Sequence, residues 1–133
     1  MYSVTLIKDI FTTVTHPEDG FVDPRESKRR VFVCGSLMDP EFVAGLLGHK
    51  VATCPAVAPG YSRGWGTAGG KKMHFLQPDP DGYVCGVALL GLDSLDISKL
   101  EEFEQAPDVR RRAPLKLRIG DAELDGFTYL KNG

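Results

Sequence analysis

An α+β domain, in which a curled or barrel-like sheet carries two short helices, is the fold class that this 133-residue sequence predicts. Three observations predict it. Short runs rich in strand formers recur along the chain between Gly and Pro clusters. Two segments open with helix-start chemistry, at Asp39-Pro40 and at Asp93. The length suits a single domain, 1–133, with one core, because two cores would leave each half too little apolar surface to bury.

The opening YSVTLI, residues 2–7, is rich in strand formers, and FTTVT, residues 11–15, is positioned to extend or pair with it. Residues 16–30 turn polar, with two prolines and a glycine, and are expected to form a loop, so that 1–30 is an N-terminal extension of open structure. Val31-Phe32-Val33-Cys34 is a short apolar run ended by Gly35 and predicts a buried strand. Asp39 as cap, Pro40 at the first helical position and Phe42, Val43, Leu46 and Leu47 at helical spacing predict a helix over 40–47, closed by Gly48. The section 51–70 contains Pro55, Pro59 and GYSRGWGTAGG, which predicts a strand followed by mobile turns forming a rim. Residues 73–76 and 83–92 flank PDPDG, predicting two antiparallel strands joined by a turn. Asp93 and Asp96 open a second helix. After Pro107, the alternation Leu115-Lys116-Leu117-Arg118-Ile119, a Gly120-Asp121 turn and a last strand ending near Leu130 complete a sheet of five or more strands.

The bulk properties exclude several classes. A net charge of −2 argues against a general nucleic-acid binder, which needs clustered basic excess. The longest apolar stretch, residues 84–92, is far short of the roughly 20 residues that span a bilayer as a helix. Cys34, Cys54 and Cys85 cannot all pair within the chain, and the first residues lack a basic n-region followed by a long apolar run, so a cytosolic setting is expected.

Two features carry chemistry. On the second helix, at about 100° per residue, Ile97, Leu100 and Phe103 define an apolar face, and Glu104 falls only about 40° from its centre. Glu101 and Glu102 fall further round, where solvated charges belong. In VFVCGSLMDP, the strand ends in glycine, and the amides of Gly35, Ser36 and Leu37 are free to bind an oxyanion or carboxylate. Taken alone, each feature also fits a helix end reaching water or a simple tight turn.

Together with Gly60-Tyr61, GYVCGVALLGL, LEEFE, the arginine before APLKL and the closing FTYL, these segments resemble the γ-glutamylcyclotransferase-like family, which includes γ-glutamylamine cyclotransferases. VFVCGSL looks like that family's Tyr-Gly-Ser/Thr-Leu signature, and the likeness runs over residues 31–129. The resemblance implies a small mixed β-barrel whose loop, here Gly35, Ser36 and Leu37, holds a γ-glutamyl group opposite one acidic residue, here Glu104, with Tyr129 near the cavity. It implies cleavage of a γ-glutamyl amine or γ-glutamyl amino acid to 5-oxoproline and a free amine, with no cofactor or metal. The partner so implied is a small molecule, with no nucleic acid and no membrane. The leaving amine and the oligomeric state stay open.

Two positions depart from the family pattern. Cys34 stands where relatives usually have tyrosine, and Arg110 stands where they commonly have an aromatic residue. Either change alters substrate choice or marks a domain that binds without turnover, which keeps a ligand-binding or scaffold module as the alternative. Other readings carry less. Cys34 as a thiol nucleophile with His74 as base has nothing in the sequence to bring the two together, His16, His49 and His74 lack zinc spacing with the cysteines, and Arg110-Arg111-Arg112 fits a solvated loop.

Overall fold

The computed structural model describes residues 23–27, 29–68, 70–106 and 109–131. The strands expected at 2–7 and 11–15 lie outside those residues. A 3-10 turn, Pro24–Glu26, opens the described chain, capped by the Asp23 carboxylate on the Arg25 amide.

Five strands follow: β1 (Val31–Val33), β2 (Ala52–Ala68), β3 (Lys71–Leu90), β4 (Arg110–Ile119) and β5 (Ala122–Lys131). They close into a barrel in the order β1-β3-β2-β4-β5. β1 seals it, running antiparallel to β3 with Phe32 opposite Ala88, and meeting β5 in parallel where Val31 faces Phe127. Thr128 Oγ1 donates to Phe32 O at 2.9 Å across this buried seam.

The apolar run of β1 is explained by burial on both faces. Phe32 packs inside the barrel with Cys54, Ala58, Leu90, Leu117 and Ile119, while Val31 and Val33 face a second layer containing Leu37, Val43, Leu47, Ile97 and Leu100. A strand covered on both sides needs no polar alternation. β4 shows the other pattern, with Leu115, Leu117 and Ile119 buried and Lys116 and Arg118 exposed.

The second layer is built by two helices. α1 (Pro40–Leu47) has the predicted limits, with the Asp39 side chain accepting from the Glu41 amide at 3.0 Å and Gly48 closing it in the left-handed region. α2 (Ser94–Phe103) starts with a full capping box: the Asp93 side chain takes the Asp96 amide at 2.8 Å, and the Asp96 side chain takes the Asp93 amide at 3.1 Å. Such caps contribute about 1 kcal/mol each.

Three expectations are corrected. The glycine-dense 60–68 is not a set of mobile turns but the outer half of β2, paired with β3 as far as Ala68 opposite Lys71. PDPDG does not reverse the chain: residues 79–82 oppose Gly60 as a bulge between the pairs Pro59–Tyr83 and Tyr61–Pro78. The Asp79 side chain accepts from the Asp81 amide, so local turn chemistry bends the strand without ending it. Third, Arg110, Arg111 and Arg112 belong to β4, not to a solvated loop. No helix of the described residues is long and apolar enough to cross a membrane.

Candidate active site

A cavity of about 300 Å³ opens at one end of the barrel. Its lining includes Phe32, Cys34, Gly35, Ser36, Leu37, His74, Phe75, Phe103, Glu104, Arg110, Thr128 and Tyr129. That size lies at the lower end of small-molecule pockets. Glu104 and the Gly35 turn, singled out separately along the sequence, therefore border one space.

Gly35 turns the chain out of β1 with φ +139°, a conformation that side chains with a Cβ rarely adopt, and a 3-10 turn, Ser36–Met38, follows. Its backbone bonds run from the Met38 amide to Gly35 O and from the Asp39 amide to Ser36 O. The amides at the start of such a turn have no partner within it, and here they are those of Gly35, Ser36 and Leu37. The Leu37 side chain is buried in the outer core, so only its backbone can serve a ligand, whereas Gly35 and Ser36 are exposed.

Glu104 is the C-cap of α2, held by its amide on Leu100 O at 2.8 Å. Gln105 then takes a positive φ of 58°, ending the helix and returning the chain to β4, which begins at Arg110. The Glu104 carboxylate is 12% exposed and the Arg110 side chain 13%, and Arg110 Nη1 donates to Glu104 Oε2 at 2.8 Å. The guanidinium also donates from Nη2 to His74 O at 3.3 Å and lies 4.8 Å from the Phe75 ring centroid, a cation–π contact. Burial pushes the Glu104 carboxyl above the ordinary range, and the Arg110 charge and hydrogen bond pull part of the way back.

A second pair lies beside the first. Arg112 donates from Nε to Glu101 Oε2 at 2.8 Å, and Tyr129 Oη donates to the same oxygen at 3.0 Å. The repetition is geometric: Glu101 and Glu104 are one helical turn apart, and Arg110 and Arg112 share one face of β4. Tyr129 lies opposite Arg112 in the β4–β5 register. Its ring thus borders the cavity, but its hydroxyl is committed to Glu101, and burial with this bond pushes the phenol up.

Other sequence expectations fare differently. Phe103, expected on the buried helix face, is 38% exposed and meets the Phe42 ring edge-on at 5.5 Å at the cavity rim. Cys34 and His74 do share the cavity, yet burial raises the Cys34 thiol, which makes it a poor nucleophile. The Arg63 charge near that thiol partly offsets the shift. The Arg110–Glu104 pairing had no separate sequence signal beyond the six-residue spacing, and Arg63 had none.

Fold and site together define a class: a small closed barrel in which one largely desolvated carboxylate and a glycine turn line a single cavity. The chain belongs to the gamma-glutamyl cyclotransferase, AIG2-like family, whose model matches residues 31–133. AIG2-like protein C of Arabidopsis thaliana is 31% identical over 100 residues, covering 75% of this chain and 57% of that protein. The chain therefore spans little more than half of the length of that curated relative. A structure described as a gamma-glutamyl cyclotransferase superposes with TM-score 0.70 at 17% identity, over 79% of this chain and 67% of the other. A solution structure of another Arabidopsis thaliana protein gives TM-score 0.66 at 24% identity, over 77% and 61%. These structural likenesses establish the fold.

Proposed function

We propose that the domain is a cyclotransferase that converts a γ-glutamyl amine or γ-glutamyl amino acid to 5-oxoproline and the free amine, with Glu104 as the acid/base. The observation that carries this reading is the desolvated Glu104 carboxylate bordering the same cavity as the Gly35-Ser36-Leu37 amides.

The reaction is internal. The substrate's α-amine attacks its own γ-carbonyl, a C–N bond forms, and the bond to the leaving amine breaks. The cavity's first task is to hold the glutamyl chain curled so that nitrogen and carbonyl meet. The turn amides are suited to hold the oxygen on which negative charge develops. The attacking amine must first lose a proton. With an ordinary Glu near 4.3 and an α-amine near 7.7, that transfer is uphill by about 5 kcal/mol. Burial of Glu104 raises its proton affinity and narrows the gap. The protonated carboxyl then returns the proton to the departing nitrogen, so acid and base roles alternate on one group.

A second reading is supported by the ion pair itself. Arg110 occupies one oxygen of Glu104 and lowers its basicity, which suits a domain that binds a γ-glutamyl compound without turning it over. A panel of γ-glutamyl amines and amino acids, assayed for 5-oxoproline by mass spectrometry, separates the two. Release from at least one member that is abolished in Glu104→Gln supports the cyclotransferase. Binding across the panel with no 5-oxoproline sinks it in favour of the binding module.

A further inference from the structure

We propose that Arg110 and Glu104 together read the α-amino-acid head of the substrate, Arg110 taking the α-carboxylate and Glu104 the α-ammonium. The inference rests on the cyclotransferase reading for what happens next, and assigns Arg110 a binding and specificity role within the same cavity.

The geometry already pairs the two required charges. Arg110 Nη1 and Glu104 Oε2 are 2.8 Å apart, both at the cavity wall and both about seven-eighths covered. An amino-acid head carries its cation and anion on one carbon, at a spacing that matches an adjacent carboxylate and guanidinium. Entry of such a head exchanges one internal ion pair for two crossed ones. Each buried charge keeps a counter-charge throughout, and no uncompensated ion is created in the low-dielectric wall. A substrate lacking either group leaves one side chain unpartnered. Discrimination therefore comes mainly from the penalty on the wrong ligand.

Arg110 is equipped for this exchange. Of its five donors, one is on Glu104 and another reaches His74 O at 3.3 Å, while Phe75 fixes the guanidinium plane from one side. A planar fork so held matches a carboxylate bidentately, which a lysine in the same place would not. This also divides the work at the cavity: the carboxylate goes to Arg110, leaving the Gly35-Ser36-Leu37 amides for the γ-carbonyl oxygen.

The test uses three small probes on the full chain: L-glutamate, 4-aminobutyrate, which lacks the α-carboxylate, and glutarate, which lacks the α-ammonium. Affinities are measured by calorimetry or NMR titration for the parent, Arg110→Gln, Arg110→Lys and Glu104→Gln. The parent should bind L-glutamate at least tenfold tighter than either truncated probe. Arg110→Gln should bring L-glutamate within about twofold of 4-aminobutyrate, Arg110→Lys should retain part of the preference, and Glu104→Gln should erase the preference over glutarate. Guanidinium NMR signals of Arg110 in the parent provide a reading that needs no variant: they should move with L-glutamate and not with 4-aminobutyrate. Equal affinity of the parent for all three probes, or an Arg110→Gln preference unchanged from the parent, overturns the proposal. Head recognition without 5-oxoproline release would instead overturn the cyclotransferase reading and leave the Arg110 assignment standing.

Discussion

Replacing Glu104 by Gln keeps the side chain's size and one acceptor oxygen but removes the charge and the transferable proton. The lining of the cavity contains no other Asp or Glu among the described residues, so no neighbour substitutes for it. General acid/base groups contribute about 10²–10⁴-fold, and with Glu104 serving both half-steps a loss of about 10³ is expected, or roughly 4 kcal/mol in the barrier. The stability cost is smaller. Orphaning a fully buried charge costs about 3–5 kcal/mol, but the Gln oxygen still accepts from Arg110, and both side chains keep 12–13% of their access to water. Burial already disfavours the ionised carboxylate, so the net change in stability stays within about 1 kcal/mol, or roughly 5 °C in Tm for a domain of this size. Rate and stability therefore separate at 25 °C, where the variant stays folded. The assay is 5-oxoproline release from the best γ-glutamyl substrate, with calorimetry and circular dichroism on the same samples. Retention of more than a third of the parental rate by a folded Glu104→Gln protein would refute the reasoning.

Four further outcomes follow from other contacts. Since Glu104 must be ionised to accept a proton and burial raises its pKa, kcat/KM should fall as pH drops through that raised value, on a limb lying above pH 4.5. In Arg110→Gln the limb should move to still higher pH, because the lowering influence is gone; pH–rate profiles of the two proteins check this. His49 Nε2 lies 2.7 Å from Asp96 Oδ1, and that hydrogen bond raises the imidazole above its usual value of 6.5. Its contribution to stability is complete below pH 6.5 and is lost as pH rises through the raised pKa, so His49→Gln should flatten the parent's decline in urea midpoint over that window. At Gly86, an added Cβ would collide with Val33 O and meet Phe32 Cζ at 2.7 Å, and Gly86→Ala should cost about 2–3 kcal/mol in urea unfolding. Asp93→Ala removes one arm of the α2 capping box and should cost about 1 kcal/mol, detectable by the same measurement.

Local signals that depend on neighbours in the chain were legible. Asp39-Pro40 and Gly48 bound α1, Asp93 and Asp96 start α2, and helical spacing sets Glu104 toward the apolar side of its helix. What could not be read depended on partners far away. GYSRGWGTA and PDPDG carry the chemistry of reversals, yet the first pairs along its length with residues 71–78 of a long hairpin and the second bulges opposite Gly60, so cross-strand pairing outweighs their turn preference. The arginine run reads as solvated because its counter-charges, Glu101 and Glu104, come within reach only after Gln105 adopts a left-handed conformation that nothing in its identity announces. The Tyr129 hydroxyl was likewise unreadable, since its partner lies 28 residues away.

β1 holds only three residues, and it runs directly into the Gly35 turn. The narrowest stave of the barrel and the turn that lines the Glu104 cavity are thus one continuous piece of chain. Val31–Val33 is buried on both faces and so belongs with the segments that open least readily, but any opening there would carry the turn amides away with it. A molecule gripped by those amides resists the opening in proportion to its own affinity. Occupancy of the cavity should then be visible as slowed amide exchange along the stave, at backbone positions that the molecule does not touch.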